Sequence, residues 1–473
     1  GTSSAGHDCG QGVISTTWQQ RLLLPLALVV IVVSAGGVWH PYSYWIDEIF
    51  SVAAAQESLP DMLSLWILGD VHPPLYQFAL NVWVSLFGTT EAATRSLSLA
   101  GAVAAVVLTL DLVRRRPELA GFGLLVLVLP WTAYNAQEVR SYVFLYLFAL
   151  LALRATLLGH ERSFCLALVL LAWTHYFGLF LGLSLLFARV VMQRRMSGQE
   201  LLAAIVMLLW LPIHLSFGRL FNHASGGFWI VVDGPEQTVA NLFSAISPGF
   251  EQVVRLLPAL SWLYVLLLLP VLGYFPWRAL RGHVVDALDL QLTLALATFV
   301  VGIVVVDVFV PMSTKRNFIA VMPLLTFMLF RIGSDMLSRR LLAAVIGLWL
   351  GVQLSSSAAL MAHKHSEVEN YRRATQTMIG LLDRGYTGYY LEACNSGSAY
   401  NNAVINNFYL QAFDASGRRL QARCLDTLPH DSRKVAIMAC HQLPFDALVK
   451  ALPPGYRASP MDAKGLCAVI QGA

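Results

Sequence analysis

The chain has 473 residues, of which 57% are hydrophobic and only 13% are charged, and its formal net charge is +4. A soluble globular protein carries about a quarter charged residues, so this composition excludes an ordinary soluble enzyme and predicts a polytopic membrane protein. The net charge is too small to argue for a nucleic-acid partner, and the basic residues are better interpreted by their position along the chain.

Residues 1–20 are predicted to form a cytoplasmic N-terminal segment or a cloning remnant. No cleavable signal with a small-residue processing site follows them, so the first apolar run is predicted to be a retained membrane helix. A bilayer-spanning helix needs roughly 17–25 apolar residues, and the sequence contains about eleven runs of that length or slightly less. The predicted spans are 21–39, 96–113, 119–134, 142–158, 164–174, 176–192, 200–215, 257–275, 288–310, 317–332 and 340–357.

The arginines between these runs indicate how the chain crosses the membrane. With a cytoplasmic N-terminus, the arginines at 114–116, 194–195 and 339–340 all fall on the cytoplasmic face, as the positive-inside rule requires. Merging 164–192 into one helix would break this pattern, so two short helices are predicted there. The opposite face then receives nearly every polar cluster at a helix end, which favours a single external site. These clusters are Asp47 with Glu48, Asp70 with His72, Glu138 with Arg140, His175 with Tyr176, the 216–256 loop, and Lys315 with Arg316.

The segment between the first two spans, residues 40–95, is predicted to be an external loop that carries the catalytic acids. Adjacent carboxylates such as Asp47 and Glu48 are costly to keep charged at a membrane edge, so we expect them to be functional. The alternative is a pair of solvated loop acids. Further along, a helix from 75 to 87 is predicted to lie in the membrane interface, anchored by Tyr76, Trp83 and Phe87.

The 216–256 loop contains the aromatic stretch 228–230 and is predicted to be either a lid over the site or a passive interface anchor. A helix is expected at its end, with Ser247 as the N-cap and Pro248 as the first helical residue, because proline is tolerated at that position.

The C-terminal part, 361–473, is polar and contains no further span. Its apolar periodicity predicts a small α/β domain on the side of the clustered motifs. Helices are expected near 367–384, 398–413 and 444–451, and strands at 387–393, 434–440 and 465–470.

Four of the six cysteines lie in this C-terminal domain, at Cys394, Cys424, Cys440 and Cys467. An even set in an exported domain predicts two disulfides, in one of three connectivities. Free buried thiols are the simpler alternative. A zinc site is disfavoured, because no Cys-x-x-Cys spacing occurs.

Several short motifs occur in a defined order along the membrane domain. They are W-I-D-E at 45–48, D-V-H-P-P-L-Y at 70–76, L-F-G at 86–88, Arg95, A-Q-E-V-R-S-Y at 136–142, T-H-Y-F at 174–177, and K-R-N-F at 315–318 before Pro323. The chain therefore resembles the C-type (GT-C) membrane glycosyltransferases, in particular protein O-mannosyltransferases and the aminoarabinose transferases of lipid A. The resemblance covers about residues 20–335, within a predicted catalytic domain at 21–360. It does not reach the C-terminal domain, which does not look like the sugar-binding trefoil of eukaryotic O-mannosyltransferases.

The resemblance implies a GT-C type all-α polytopic membrane domain with a small periplasmic α/β domain, in a bacterial inner membrane. It implies transfer of a sugar from a polyprenyl-phosphate donor, of the undecaprenyl-phosphate type, to a hydroxyl group on the periplasmic face. The acceptor would be a glycan, a lipid such as lipid A, or a protein. A synthase that makes the donor on the cytoplasmic face is an expected partner.

Direct displacement of the carrier would invert the anomeric centre and needs a base within reach of the acceptor hydroxyl. Asp47 is the predicted base, and Glu48 is predicted to orient the acceptor or the sugar. The leaving phosphate needs cationic donors at the membrane surface. Arg316 is the leading candidate, followed by Lys315, Arg140 and His175. The alternatives are lipid-headgroup snorkelling for Lys315 and Arg316, and a structural role for His175.

The remaining predicted substrate contacts are Asp70, His72, Tyr76, Arg95, Glu138, Tyr142 and Tyr176. The Asp-x-His spacing at Asp70 could bind a divalent metal, but the related O-mannosyltransferases are regarded as metal-independent, so no cofactor is expected. Glu138 could instead simply pair with Arg140 or Arg95.

Two other functions are compatible with a polytopic chain. A transporter or flippase of a polar or lipid-linked solute would place ionisable groups near the middle of the membrane and would show paired broken helices in two repeats. In this chain the charged motifs gather at helix ends and no internal repeat is evident. A non-catalytic sensor on the same scaffold is disfavoured because Asp47, Arg140 and Arg316 are all present.

Overall fold

The computed structural model describes residues 14–40, 42–68, 70, 72–216, 230, 232, 234–257, 261–364, 368–394, 399–428, 433–440 and 443–472. The predicted aromatic residues Phe228 and Trp229 of the 216–256 loop lie outside these residues. Within them, eight helices are long and apolar enough to cross a membrane. All eight coincide with predicted spans, and the other three predicted spans form shorter helices.

The first half of the membrane domain contains twelve labelled helices in the described part of the chain. They are α1 (Ile14–Trp39), α2 (Ile46–Ala55), α3 (Leu59–Asp61), α4 (Leu75–Phe87), α5 (Glu91–Arg115), α6 (Ala120–Leu127), α7 (Pro130–Asn135), α8 (Tyr142–Leu158), α9 (Glu161–Thr174), α10 (Tyr176–Gln193), α11 (Gly198–Leu208) and α12 (Trp210–Ser216). A π-helical turn at Met62–Ile67 and a 3₁₀ turn at Pro117–Leu119 connect some of them.

The second half continues the helical pattern. Its helices are α13 (Pro235–Ile246), α14 (Pro248–Leu256), α15 (Ser261–Leu280), α16 (Ala287–Phe309), α17 (Met322–Met336) and α18 (Arg339–Lys364), with a 3₁₀ turn at Asn317–Val321. As predicted, α14 begins at Pro248. The Ser247 hydroxyl lies 3.4 Å from that of Ser356 in α18, and its role as the N-cap stays a prediction. The loop that was predicted from 216 also contains a full helix, α13, which the sequence reading missed.

The helical pattern is broken at two places within predicted spans. The predicted single helix at 119–134 is interrupted after Leu127, because Pro130 lacks an N–H and starts a new helix instead. The predicted break within 164–192 is confirmed at His175, which lies in extended conformation between α9 and α10. Each break ends a helix beside a polar cluster.

The core of the membrane domain packs around α8, α10 and α16. Phe177, Phe299 and Phe318 meet edge to face, with ring centroids 5.2–6.2 Å apart. Lipid tails are as apolar as these side chains, so van der Waals packing rather than transfer from water holds such contacts together.

The C-terminal domain contains a five-stranded sheet in the order β2-β1-β3-β5-β4. Strand β1 runs parallel to β2 and β3, while β5 runs antiparallel to β3 and β4. Its elements are α19 (Tyr371–Leu382), β1 (Thr387–Leu391), α20 (Ala399–Phe413), β2 (Gln421–Arg423), β3 (Val435–Cys440), α21 (Phe445–Ala451), β4 (Tyr456–Pro460) and β5 (Cys467–Gly472). The six predicted elements are confirmed, and the strands β2 and β4 were missed because both are short and largely exposed.

The two predicted disulfides are present, and the structure selects one connectivity. Cys394 bonds to Cys424, and Cys440 bonds to Cys467. The second bond joins directly opposed positions of β3 and β5, a register that the sequence alone does not reveal.

Candidate active site

The polar clusters meet where the N-terminus of α2, the α7–α8 connection, the α9–α10 break and the loop before residue 317 converge. The structure joins Asp47 to Arg140, Glu48 to Arg95, His72 to His175, and Arg316 to the Trp45 ring. Residues that are far apart in the sequence, such as Trp45 and Arg316, are therefore neighbours in the fold. The location of these contacts agrees with the single site expected from the charge pattern.

Glu48 and Arg95 form a fully buried ion pair, with both side chains 0% exposed. The Arg95 Nε donates to Glu48 Oε1 at 2.9 Å and Nη2 donates to Oε2 at 2.8 Å. The Val139 N–H also donates to Glu48 Oε1, at 3.0 Å. The remaining Arg95 donors reach the carbonyls of Tyr42 and Ser43. Both side chains are thus engaged within the protein, which favours a positioning role over contact with substrate.

Asp47 lies in a different environment, although it is the neighbour of Glu48 in the first turn of α2. Its side chain is 39% exposed, and its Oδ2 lies 3.7 Å from Arg140 Nη2. That distance is beyond a direct hydrogen bond. The Asp47 carboxylate is therefore accessible and only loosely paired, as a base that must meet an incoming hydroxyl requires.

Arg140 is held by long contacts to Asp47 and Ser51. Its Nη1 makes long hydrogen bonds to the Asp47 carbonyl, at 3.4 Å, and to the Ser51 hydroxyl, at 3.3 Å. Its Nε has no hydrogen-bond partner among the described residues. Buried guanidinium N–H groups are normally satisfied, so this arginine has donor capacity left for an anion.

Arg316 has even fewer partners. Its guanidinium lies 4.8 Å above the Trp45 ring, and within the described part of the chain its side chain forms no hydrogen bond and no ion pair. The adjacent Lys315 differs, since it forms an ion pair with Glu251 of α14 and lies 4.9 Å from the Trp131 ring centre. Of these two adjacent cations, Arg316 is the one that forms no ion pair with a carboxylate in the described part of the chain.

His175 is buried at the start of α10. Its Nδ1 accepts the Phe177 N–H at 3.1 Å, which assigns the ring proton to Nε2, and that atom has no partner among the described residues. Burial, together with the nearby His72 and Arg140, lowers the pKa of His175 well below its usual range. His175 therefore offers a neutral N–H donor rather than a charge, and its contact with the leaving phosphate stays a prediction.

Asp70 and His72 form a local pair at the entrance to α4. Their closest atoms, His72 Nδ1 and Asp70 Oδ1, are 3.2 Å apart. The buried His214 donates from Nε2 to the Asp70 carbonyl at 2.7 Å, and its Nδ1 contacts the Tyr176 hydroxyl. His214 thus links Tyr176 to the Asp70 loop, and His214 was not among the predicted site residues. The signal was a single histidine within the apolar α12.

Glu138 lies near Lys364. Its Oε1 is 3.8 Å from Lys364 Nζ, and both side chains are buried. Lys364 also donates to the Tyr134 carbonyl. The alternative, in which Glu138 pairs with Arg140 or Arg95, is not seen among the described residues, where those arginines pair with Asp47 and Glu48. Lys364 was missed because the last span was expected to end near residue 357, seven positions earlier.

Two predicted tyrosines lie inside the protein. Tyr76 is buried against Phe144, with ring centroids 5.9 Å apart, so its prediction as an interface anchor is wrong. Tyr142 is buried beside His175, at 5.9 Å between ring centroids. Among the residues that the structure describes, no three His, Cys, Asp or Glu side chains are grouped as a metal site would require.

The fold of this chain is similar to that of solved membrane proteins. No protein-family model matches the sequence, and no curated protein matches it. Among solved structures, ArnT from Cupriavidus metallidurans is similar, both bound to undecaprenyl phosphate (TM-score 0.54) and in the apo state (TM-score 0.56). In each case the sequences are 14% identical, and the match covers 96% of this chain and 98% of the other. The chain therefore has an ArnT-like fold, a polytopic helical membrane domain of the GT-C type followed by a small α/β domain.

Proposed function

We propose that this protein is an inverting membrane glycosyltransferase that uses a polyprenyl-phosphate sugar as its donor. The observation that carries the proposal is an accessible carboxylate, Asp47, beside two arginines that retain unused donors, Arg140 and Arg316. The fold likeness to ArnT, which has been solved with undecaprenyl phosphate bound, supports a lipid-linked donor.

In the proposed reaction, Asp47 accepts the proton of the acceptor hydroxyl while the hydroxyl oxygen attacks the anomeric carbon. The bond between that carbon and the carrier phosphate breaks, and its electron pair remains on the phosphate oxygen. A single displacement of this kind inverts the anomeric centre. A positioned general base of this type accelerates a reaction by about 10²- to 10⁴-fold.

The carrier phosphate gains charge as it leaves, so donors that are already oriented lower the barrier. Arg316 and Arg140 supply charged N–H groups, and His175 supplies a neutral one from Nε2. Lys315 contributes less, because Glu251 already balances its charge. We assign Glu48 and Arg95 to the support of this site and the loop of Asp70 and His72 to the acceptor side.

We further propose that the site faces the periplasm of a bacterial inner membrane, with the C-terminal domain, 361–473, on the same side. The arginines at 114–116, 194–195 and 339–340 would then be cytoplasmic. The acceptor would be a lipid, a glycan or a protein, and the donor would be made by a separate synthase on the cytoplasmic face.

The proposal is tested by mass spectrometry of lipid-linked sugars and envelope glycans in a deletion strain. We expect a polyprenyl-phosphate sugar to accumulate and one glycan class to lose a sugar, and the wild-type gene should restore both. The Asp47→Asn variant should restore neither. Full restoration by Asp47→Asn would contradict the proposed mechanism and would favour a transporter. No change in either pool would contradict the proposed function.

A further inference from the structure

The C-terminal domain contacts the backbone segment that presents Asp47. Residues 42–45 lead directly into α2, and α20 of the C-terminal domain packs beside them. The Tyr44 ring stacks on Tyr409, with centroids 6.0 Å apart, and meets Phe408 edge to face at 5.9 Å. These apolar contacts bring two polar groups of different domains into hydrogen-bond range.

The Tyr409 hydroxyl connects two separate parts of the membrane domain. It accepts the Tyr44 N–H at 2.8 Å and donates to Glu91 Oε1 at 2.9 Å. Tyr44 lies three residues before Asp47. Glu91 begins α5, the helix that carries Arg95 one turn later. One hydroxyl therefore holds both the segment that contains the carboxylates and the helix that supplies the partner of Glu48.

A second residue of the C-terminal domain strengthens the same junction. The Arg372 N–H donates to the Ser43 hydroxyl at 3.2 Å, and Arg372 Nη2 lies 3.4 Å from Glu91 Oε1. Glu91 Oε1 thus accepts a hydrogen bond from Tyr409 and forms an ion pair with Arg372. The adjacent residues Ser43 and Tyr44 are thus both hydrogen-bonded to the C-terminal domain. The Ser43 carbonyl also accepts a hydrogen bond from Arg95 of the membrane domain.

We propose that the C-terminal domain is a positioning element of the active site and that Tyr409 is its principal positioning residue. Tyr409 touches neither Asp47 nor Glu48 in the described contacts, and it acts on Asp47 through the backbone at Tyr44. Its connection to catalysis rests on the proposed function, whereas its effect on the backbone of residues 42–48 does not. A small displacement of a catalytic group is costly, since a misplacement of about 1 Å lowers rates by roughly 100-fold.

The test compares Tyr409→Phe with the matched variant Tyr389→Phe. Tyr409→Phe keeps the ring against Tyr44 and removes only the hydroxyl. Tyr389 belongs to the apolar cluster on the other face of the sheet, and it makes no described contact with residues 42–48. Hydrogen exchange followed by mass spectrometry on the purified full chain should show the Tyr44 amide exchanging about tenfold faster in Tyr409→Phe, the factor expected for one lost hydrogen bond. Tyr389→Phe should match the wild type.

Transfer kinetics provide the second measurement. We expect Tyr409→Phe to lower kcat by about tenfold with KM for the donor unchanged, because the base is misplaced while the phosphate site is intact. Unchanged exchange at Tyr44, or a rise in KM without a fall in kcat, would overturn the positioning role. If Tyr409→Phe does not fold, Glu91→Gln tests the same junction and should give a smaller change in the same direction. Faster exchange together with an inactive wild type would uphold the backbone contact and contradict the proposed function instead.

Discussion

Asp47 and Glu48 are adjacent carboxylates with opposite surroundings. Glu48 is sealed from solvent and receives two N–H groups of Arg95 and one from Val139. Asp47 is 39% exposed and lies 3.7 Å from its nearest cation, Arg140. Successive helical residues point in directions about 100° apart, so Glu48 faces the protein interior while Asp47 faces the accessible side of the helix. This difference is the basis for our proposal that Glu48 has a structural role and Asp47 a chemical one.

The two sets of cations differ in the same way. Arg95 donates its N–H groups to Glu48 and to the carbonyls of Tyr42 and Ser43. Arg140 and Arg316 retain donors, and the accessible carboxylate lies on their side of the site. Arg140 is only loosely paired with Asp47 and Arg316 has no ion pair among the described residues, so these largely enclosed cations are candidates for binding an anion.

The largest expected effect comes from breaking the buried pair. Glu48→Gln should lower the free energy of unfolding by about 3–5 kcal/mol, because it leaves the Arg95 charge buried and uncompensated. Thermal unfolding of the purified protein measures this. The control is Glu118→Gln, which removes an exposed ion pair with Arg116 and should cost about 0–1 kcal/mol. A Glu48→Gln protein as stable as the wild type would contradict the structural role proposed for this pair.

The next effect concerns the phosphate. Arg316→Gln should weaken binding of undecaprenyl phosphate by about 10- to 100-fold, the loss expected for a hydrogen bond to a charged group. Lys315→Gln, its neighbour, should change binding by less than about fivefold, since Lys315 is already paired with Glu251. Titration of each variant in nanodiscs separates the two. A larger loss for Lys315→Gln than for Arg316→Gln would reverse the assignment.

The smallest effect is the pH dependence that His175 contributes. Its pKa is lowered in the folded protein, so below about pH 6.5 the unfolded chain binds a proton that the folded chain does not. Stability from this residue is complete above that pH and falls, by at most about 1.4 kcal/mol per pH unit, as the pH decreases. Between about pH 7.5 and pH 5.5, His175→Gln should therefore lose less thermal stability than the wild type, because the contribution of one titrating residue to the slope is removed. An identical slope in both proteins would contradict a buried neutral His175.

Local patterns were sufficient to predict many elements of the fold. The helix at 75–87 has the predicted bounds because Pro73 and Pro74 precede it and its apolar face is periodic. The break at His175 followed from the charge of the flanking loops. The interruption before Pro130 was missed, although proline is a strong local signal, because the apolar run continues through it.

The pairing of the site residues could not be predicted in the same way. The sequence placed Glu138, Arg140, Arg95 and Glu48 on one face, but several pairings were possible among them. Tertiary packing decides between these pairings. It brings Arg95 to Glu48, and it brings Lys364 to Glu138 because α18 is longer than expected. The cysteine pairing was undetermined for the same reason until the β3–β5 register was known.

The most direct test of the central claim is the transfer rate of Asp47→Asn per folded molecule. The account predicts a loss of about 10²- to 10⁴-fold, because the base is removed, while the free energy of unfolding changes by no more than about 0.5 kcal/mol and undecaprenyl phosphate still binds. Asp61→Asn, an exposed acid of the same loop, is the matched control and should retain the wild-type rate. A near-normal rate in Asp47→Asn would contradict the assignment of Asp47 as the base.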